Sequence, residues 1–312
     1  MINRRKFLQN TGALALGGFA ITQSAMSSPM PDNRVPSSAL GLQLYTVTKE
    51  IESDLDGTLQ RIAEIGYTNL ETASSRKGGF YGITSKEFAA KVKGYGLFWR
   101  AHHIGGAPFR MPAGATPPAG AVGKPVTMPK MLNLRENYQE AVDLAAEGGI
   151  KYLVCSSTPI NSLEEIKLSI ETFKKTGEAC QKAGIGFAFH NHWKEFERVE
   201  GKVPYDLFLS ETSADLVKFE LDLGWATKSG TDPVELFKKH PGRFPLWHIK
   251  DLSGITQQTV EIGTGYVNLK RVFDAAETAG MRYAFVEQDA APKPLENIAN
   301  SFANLKAMLG NK

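Results

Sequence analysis

The chain has 312 residues, of which 42% are hydrophobic and 22% charged, a size and composition that suit one large globular domain or two small ones. Its formal net charge is +3, but three of its 36 basic residues, Arg4, Arg5 and Lys6, lie in an N-terminal segment that we expect to be removed. That segment holds no Asp or Glu, so the rest of the chain has 33 basic and 33 acidic residues, which excludes an electrostatic case for a nucleic-acid partner.

The N-terminal segment is typical of a twin-arginine export signal. Arg4 and Arg5 precede an apolar run rich in Ala and Gly from Gly12 to Ile21, and small and polar residues follow it. A membrane anchor and a disordered tail are the alternatives, but about ten apolar residues fall short of the roughly twenty that cross a bilayer. We therefore predict a signal peptide over residues 1–27, a polar linker over 28–38, export to the periplasm, and no stable membrane association once the signal is removed.

After the linker the sequence repeats one unit, a short apolar run rich in strand-forming residues followed by a turn and a stretch of helical periodicity. Eight apolar runs occur, at residues 40–46, 67–72, 97–103, 150–155, 185–191, 217–222, 244–250 and 282–287. Helical periodicity occurs at residues 56–65, 85–94, 133–147, 163–183, 204–211, 233–240, 267–279 and 294–308. Thr84 with Glu87 and Ser162 with Glu165 fit capping boxes, and Pro233 fits a first helical position.

Strands that alternate with helices pair in parallel, so eight such units predict an α/β fold, a closed (β/α)8 TIM barrel, as a single domain over residues 39–312. A doubly wound open sheet is the alternative, but no glycine-rich phosphate turn follows the first strand. Residues 105–130 depart from the repeat because they are rich in Gly, Pro and Ala and have no apolar periodicity. This insertion follows a strand, so a barrel places it on the active-site face, as either a lid or an inert loop.

The alternation of side chains along a barrel strand predicts which residues face the interior. In the fifth run the bulky Phe189 suits the helix layer, so His190 points inward at the strand end. The same alternation turns Asp222, His248 and Glu287 inward at the ends of the next three strands. Two imidazoles and two carboxylates suit Mn²⁺, Zn²⁺, Co²⁺ or Fe²⁺ better than Ca²⁺, and we predict one divalent metal ion at these four residues. Hydrogen-bonded residues of the barrel rim are the alternative interpretation.

Six short segments carry a family resemblance: Gly41–Tyr45, His190–His192, Glu220–Trp225, His248–Asp251, Glu261–Gly265 and Phe285–Gln288. Together they resemble the sugar phosphate isomerase/epimerase family, the xylose-isomerase-like barrels, from about residue 40 to the C-terminus. The resemblance implies a divalent metal held by His190, Asp222, His248 and Glu287, with a sugar or polyol coordinated to it. Epimerases of this group commonly have Glu where this chain has His190. Because a metal-bound imidazole is a poor general base, two-carboxylate epimerisation is not expected.

Polar residues near the strand ends are candidates for the missing acid or base. The candidate catalytic residues are Glu287, His102, His103, His192 and Lys250. His102 and His103 end the third strand with ambiguous alternation, whereas a fixed Lys250 ammonium would stabilise a developing enediolate. The candidate substrate-binding residues are Glu71, Trp193, Trp225 and Glu261, the two indoles by stacking on a sugar ring. Salt bridges, hydrogen bonds and packing at the barrel rim are the alternatives for all of them.

These features predict a metal-dependent enzyme that acts on an unphosphorylated sugar or keto-sugar by proton transfer next to a carbonyl, in the manner of an isomerase or epimerase. Cleavage of a 3-keto-glycoside by β-elimination shares the first step and is the first alternative. A non-catalytic sugar-binding barrel is the second, and phosphodiester hydrolysis is disfavoured by the balanced charge. Export and the lack of a clear phosphate cradle favour a small-molecule sugar without phosphate. The sequence predicts no particular oligomeric state.

Overall fold

Eight parallel strands form a closed barrel in a computed structural model, which describes residues 39–108 and 131–310. The strands are β1 (Leu40–Gln43), β2 (Asn69–Thr72), β3 (Phe98–Gly105), β4 (Tyr152–Ser157), β5 (Gly186–His190), β6 (Lys218–Asp222), β7 (Leu246–Ile249) and β8 (Tyr283–Val286). Each strand pairs with its neighbour in sequence, and β8 pairs with β1 through Ala284 and Leu40 to close the barrel. The predicted single-domain (β/α)8 fold is therefore confirmed.

Helices cover the outside of the barrel. They are α1 (Thr48–Ser53), α2 (Leu55–Ile65), α3 (Ser85–Gly94), α4 (Leu134–Glu147), α5 (Leu163–Lys182), α6 (Pro204–Glu211), α7 (Leu223–Lys228), α8 (Pro233–Lys239), α9 (Leu269–Phe273), α10 (Ala276–Ala279) and α11 (Pro294–Leu309). Thr84 and Glu87 form the predicted capping box of α3. Ser162 caps α5, but the Glu165 carboxylate accepts its hydrogen bond from Asn161 instead. Among the helices that the structure describes, none is long and apolar enough to cross a membrane.

The two faces of each strand pack in different layers. Phe187, Phe189 and Phe219 belong to the large apolar layer between the strands and the helices. The barrel interior instead holds a small apolar cluster that consists of Ala101, Val154, Ala188, Leu246 and Phe285. These residues precede the strand ends and form an apolar floor, so the polar side chains that follow them along the strands lie in one layer above it.

Three predicted segments lie wholly or mainly outside the described residues. These are the signal peptide (1–27), the polar linker (28–38) and the insertion, of which only residues 105–108 are described. The loop after β7 is described, and it contains a short antiparallel ribbon of Asp251–Leu252 with Thr259–Val260. Asp251 holds this loop together, because its carboxylate accepts hydrogen bonds from the backbone N–H groups of Gly263, Gly265 and Val267.

Candidate active site

Polar side chains fill the barrel interior at the carboxyl ends of the strands. Nine of them are each at most 8% exposed: Gln43, Glu71, His103, His190, Glu220, Asp222, His248, Lys250 and Glu287. Burial of this many ionisable groups is tolerated only where the groups pair with one another or with an ion. The pairs separate into two groups of contacts, which share His248.

The first group of contacts, which we call the inner cluster, consists of Glu71, His103, His190, Glu220 and the Nε2 edge of His248. Glu220 Oε2 lies 2.7 Å from His103 Nε2, 3.2 Å from His190 Nδ1 and 3.2 Å from His248 Nε2. Glu71 Oε2 lies 2.6 Å from His248 Nε2 and 3.4 Å from His103 Nε2. Two carboxylates and three imidazoles from five strands thus meet in one buried space.

The second group, the outer cluster, consists of Asp222, Lys250, Glu287, Asp289 and the Nδ1 edge of His248. His248 Nδ1 lies 2.9 Å from Glu287 Oε2 and 3.9 Å from Asp222 Oδ2. Lys250 Nζ lies 3.0 Å from Asp222 Oδ2, 2.8 Å from Glu287 Oε2 and 2.7 Å from Asp289 Oδ2. Three carboxylates therefore surround one ammonium group, and two of them also face one edge of an imidazole.

Charge in the inner cluster is divided unequally between its two glutamates. Burial, and after it the nearby Glu220 carboxylate, raise the pKa of Glu71 to about 7. Burial alone would also raise the pKa of Glu220, but His248 and His103 hold it well below its usual range. Burial opposes the charged form of His248, yet Glu220, Glu287 and Glu71 raise its pKa well above 6.5. His248 is therefore protonated and positively charged as long as no metal ion is bound to either of its nitrogens.

Charge in the outer cluster depends on Lys250. Burial would lower the pKa of this ammonium, but Asp222, Glu287 and Asp289 raise it above its ordinary value, so Lys250 stays charged. Burial would raise the pKa of Glu287, but Lys250 and His248 hold it well below its usual range. Burial raises the pKa of Asp222 to about 6 in spite of Lys250. Lys250 is therefore a fixed positive charge and cannot serve as a general base near neutral pH.

A pocket of about 320 Å³ lies against both clusters. Its lining includes Tyr45, His103, His190, His192, Glu287 and Asp289. The His192 imidazole makes no hydrogen bond within the described part of the chain, and its ring lies 5.0 Å from that of His190. Burial, followed by the nearby Lys250 ammonium, lowers the pKa of His192 to about 4. His192 is consequently a neutral imidazole at the pocket wall, in the form that accepts a proton.

Comparisons with known proteins show the family to which this barrel belongs. A family model described as xylose isomerase-like TIM barrel matches residues 59–308. The chain belongs to this family. A solved structure from Parabacteroides distasonis, described as a sugar phosphate isomerase/epimerase, is 31% identical with a TM-score of 0.71 over 91% of this chain and 97% of that one. The chain is thus a sugar isomerase/epimerase-like TIM barrel.

Two further similarities are more distant. A structure described as IolI protein with a bound zinc atom shares the fold of this xylose isomerase-like barrel, with a TM-score of 0.63 at 16% identity over 87% of this chain and 98% of that one. The inosose dehydratase of Clostridium beijerinckii is 24% identical over 106 residues, which are 34% of this chain and 35% of that enzyme. The chain therefore matches about a third of the length of that curated relative.

The metal ligands predicted for this xylose isomerase-like barrel fall into both clusters. One ligand atom from each of Asp222, His248 and Glu287 lies within 4.8 Å of the others. A second set with the same spacing consists of His103, His190, Glu220 and His248. Asp222 Oδ2 and His190 Nδ1 are buried and make no hydrogen bond in the described structure, although Lys250 Nζ lies 3.0 Å from the first and Glu220 Oε2 lies 3.2 Å from the second. Carboxylate oxygens and imidazole nitrogens without hydrogen-bond partners fit a divalent cation. The structure places His190 with the inner cluster, apart from the three outer ligands.

His102 does not face the barrel interior, contrary to one of the two alternatives for the end of β3. Its Nδ1 lies 2.8 Å from Thr72 Oγ1, and its ring packs against Phe80. His102 lines a different cavity, of about 220 Å³, near α4. Burial lowers its pKa from 6.5 to about 3, so the imidazole stays neutral. His103 is the inward residue, and His102 lies outside the pocket that the two clusters line.

Replacement of His102 by Asn should leave activity within about twofold of the wild type but change the pH dependence of stability. The unfolded state binds a proton at His102 below pH 6.5 and the folded state only below about 3, so this residue lowers stability as pH falls between those values. We expect urea unfolding at about pH 7 and about pH 4.5 to show a smaller acid loss in His102→Asn. A large loss of activity in this variant would contradict the placement of His102 outside the site.

Three predicted substrate-binding residues lie outside the lining of the pocket. The Glu261 carboxylate accepts hydrogen bonds from Asn297 and Asn300 of α11, so it anchors the loop after β7. The Trp193 and Trp225 rings lie 5.0 Å apart, and Lys228 Nζ lies 4.8 Å from the centre of each. Trp225 packs over Lys250, whose Nζ is 4.6 Å from its ring centre, and therefore positions that lysine.

The sequence did not lead us to two residues of the site, Glu220 and Asp289. Glu220 precedes Asp222 by two positions, so the same alternation turns both inward, and that signal was sufficient to find it. Asp289 follows β8 in a loop without periodicity, and its contact with Lys250 depends on the closed barrel. Glu71, predicted to bind substrate, lies deeper than the pocket, where Gln43 Nε2 donates to it at 2.8 Å.

Proposed function

We propose that this protein is a metal-dependent enzyme that moves a proton next to the carbonyl of an unphosphorylated sugar or keto-sugar. The observation that carries the proposal is His192, a neutral imidazole without a hydrogen-bond partner on the wall of a pocket that Glu287 also lines. Proton transfer from carbon needs an unprotonated base beside a group that stabilises the resulting negative charge.

The residues best placed to hold the metal at this pocket are Asp222, His248 and Glu287. A divalent ion there, of the Mn²⁺, Zn²⁺, Co²⁺ or Fe²⁺ kind, would supply polarisation of the substrate carbonyl. The similarity to a zinc-containing IolI structure supports such an ion without identifying it. His190, the fourth predicted ligand, lines the same pocket from the neighbouring strand, but its Nδ1 faces Glu220 of the inner cluster.

The chain's own residues divide the remaining work. His192 accepts the proton from the carbon next to the carbonyl and returns it to the substrate. Lys250 holds Glu287 ionised and keeps positive charge close to the developing oxyanion. Trp225 covers the Lys250 ammonium and excludes water from it. Asp289 lies at the pocket wall with its carboxylate on Lys250, which fixes the rim of the pocket over the site.

The pocket favours a sugar that carries no phosphate. Its lining contains Glu287 and Asp289 but neither Lys nor Arg. The nearby Lys250 is already surrounded by three carboxylates, so it offers no free charge to a phosphate. A phosphate dianion would find no Lys or Arg at the pocket wall to pair with, whereas neutral hydroxyl groups can donate to carboxylates and accept from imidazoles.

Elimination from a 3-keto-glycoside is the second candidate reaction. The partial match to inosose dehydratases, which by name remove water, supports it. Elimination and isomerisation begin with the same proton abstraction and differ in whether a leaving group departs from the next carbon. A screen of unphosphorylated ketoses and 3-keto-glycosides, with product analysis, distinguishes the two. Binding of these compounds without any product would indicate a sugar-binding barrel and contradict the proposal.

His192→Asn should lower kcat by roughly 10²–10⁴-fold while KM changes little, because the amide keeps the size of the side chain but cannot act as the base. Steady-state kinetics on the best substrate of the screen measures both constants. Tyr45→Phe is the matched control from the same pocket wall, and we expect it to act mainly through KM. Full activity of His192→Asn would remove this residue from the reaction.

We also propose that the protein is exported by the twin-arginine route, as residues 1–27 predict. A double substitution of Arg4 and Arg5 by Lys should leave the precursor in the cytoplasm, and the untouched signal should deliver it to the periplasm. Cell fractionation with immunoblotting measures this distribution. An unchanged distribution in the double variant would contradict the proposal.

A further inference from the structure

Three imidazoles in the inner cluster direct nitrogen atoms toward one carboxylate oxygen. His103, His190 and His248 come from β3, β5 and β7, and their nearest nitrogens lie 2.7, 3.2 and 3.2 Å from Glu220 Oε2. The four residues are between 0% and 8% exposed. These four side chains come from four different strands, so their contact depends on the closed barrel and not on a local turn.

Hydrogen bonds within the protein leave the inner cluster incompletely satisfied. Glu71 Oε1, Glu220 Oε1 and His190 Nδ1 are buried and have no hydrogen-bond partner among the described residues. His190 Nδ1 faces Glu220 Oε2 at 3.2 Å without hydrogen-bond geometry. Buried polar atoms without partners mark either an ordered water or an ion, and a set of three nitrogens and one oxygen is a ligand set for a transition metal.

We propose that His103, His190, Glu220 and His248 bind a second divalent cation of the zinc type, distinct from the one at Asp222 and Glu287. The ligand atoms of these four residues all lie within 4.8 Å of one another. Around a tetrahedral zinc ion, donors at about 2.0–2.1 Å lie roughly 3.3 Å apart, close to the 3.2 Å that separates His190 and His248 from Glu220. Small side-chain shifts are therefore enough to seat the ion.

His248 belongs to both sites through different atoms. Its Nε2 faces the inner cluster, whereas its Nδ1 faces Glu287 in the outer cluster at 2.9 Å. An ion on each nitrogen displaces both ring protons, so the imidazole becomes a bridge between two ions and two protons are released. The bridging role of His248 depends on the outer metal site of the proposed function, whereas the inner metal site does not depend on the outer one.

The inner site is closed, unlike the outer one. Glu220 is 0% exposed, and only His103 and His190 reach the pocket. Closed sites with four protein ligands are structural, whereas open sites keep a position for substrate. We therefore infer that the inner ion fixes the orientation of His190 and His248, and that it exchanges with chelators more slowly than the outer ion.

Metal content per chain tests the inner site directly. Purified full-length protein is loaded with Zn²⁺, dialysed and measured by elemental analysis, beside the isosteric variants Glu220→Gln and Asp222→Asn. We expect two ions in the wild type, one in Glu220→Gln and one in Asp222→Asn. A single wild-type ion that Asp222→Asn loses and Glu220→Gln keeps would overturn the inner site, as would a wild type without zinc. A single ion lost only in Glu220→Gln would support the inner site and contradict the outer one, and so separates the two proposals.

A spectroscopic measurement on the wild-type protein tests the bridge by His248 without any variant, so its result does not depend on how well the variants fold. Cu²⁺ is added in place of zinc while the electron paramagnetic resonance signal is integrated. The first equivalent should give a full signal, and the second should reduce it, because two Cu²⁺ ions on one imidazolate couple antiferromagnetically. Signal that grows in proportion through two equivalents overturns the bridge by His248.

Discussion

Glu287→Gln should lower kcat/KM by roughly 10²–10⁴-fold, because the substitution removes a charged metal ligand and a carboxylate of the pocket wall together. Glu287 Oε2 contacts both His248 Nδ1 and Lys250 Nζ, so its charge balances two cations at the site. Gln keeps the shape and can still accept a hydrogen bond from Lys250, so we expect the fold to survive. Kinetics at saturating metal separate a loss of chemistry from a loss of metal binding.

Glu261→Gln is the matched control for that experiment. This carboxylate is bound by Asn297 and Asn300 of α11, away from the pocket lining. We expect kcat/KM to stay within roughly threefold of the wild-type value, since the change alters only the anchoring of a loop. Equal losses in Glu287→Gln and Glu261→Gln would contradict the assignment of Glu287 and restore Glu261 as a substrate-binding residue.

Lys250→Met should destabilise the metal-free protein by about 3–5 kcal/mol, because it leaves the buried carboxylates of Asp222 and Glu287, and the partly exposed one of Asp289, without their cation. Asp222, Glu287 and Asp289 all lie within 3.0 Å of Lys250 Nζ. Without the ammonium the pKa of Asp222, already raised to about 6, rises further, and the pKa of Glu287 loses the main cause that holds it down. Their charged forms then oppose folding at high pH, so the loss of stability should shrink as pH falls through the raised pKa values. Chemical unfolding in the presence of a chelator measures the difference.

Lys91→Met is the control for the lysine experiment. Lys91 pairs with Asp56 at 2.8 Å, but the two side chains are 38% and 53% exposed, so the loss of stability should be far smaller than in Lys250→Met. Divalent metal should restore part of the stability of Lys250→Met, because an ion at Asp222 and Glu287 replaces the missing positive charge. Wild-type stability of Lys250→Met in chelator would contradict the structural role of this lysine.

Side-chain alternation along the strands predicted where several of these residues lie, and an irregularity in β3 explains what the alternation left undecided. Asp222, His248 and Glu287 lie where alternation put them, above the apolar floor that includes Leu246 and Phe285. In β3 the pairing with β2 shifts between Leu70 and Glu71, so that alternation changes phase within the strand. The sequence left His102 and His103 undecided for that reason, since a bulge depends on both paired strands.

Contacts that depend on closure of the barrel could not be read from the sequence. Glu71 and Glu220 lie on β2 and β6, four strands apart, and they meet only because His103 and His248 lie between them inside the barrel. The opposite pKa shifts of the two carboxyl groups follow from that meeting. Glu261 belongs to a segment that carries the family resemblance, and the sequence therefore predicted that it binds substrate. The loop that Asp251 holds together instead directs the Glu261 carboxylate toward α11.

Exchange of substrate hydrogen with solvent deuterium tests the central claim most directly. Metal-loaded protein is incubated in heavy water with unphosphorylated keto-sugars and 3-keto-glycosides, and deuterium at the carbon next to the carbonyl is followed by NMR. We predict incorporation into one of these compounds that stops when the metal is removed and returns when it is restored. No incorporation above that of the His248→Ala variant, with any keto-sugar or keto-glycoside and any of the four metals, would contradict proton transfer as the function of this site.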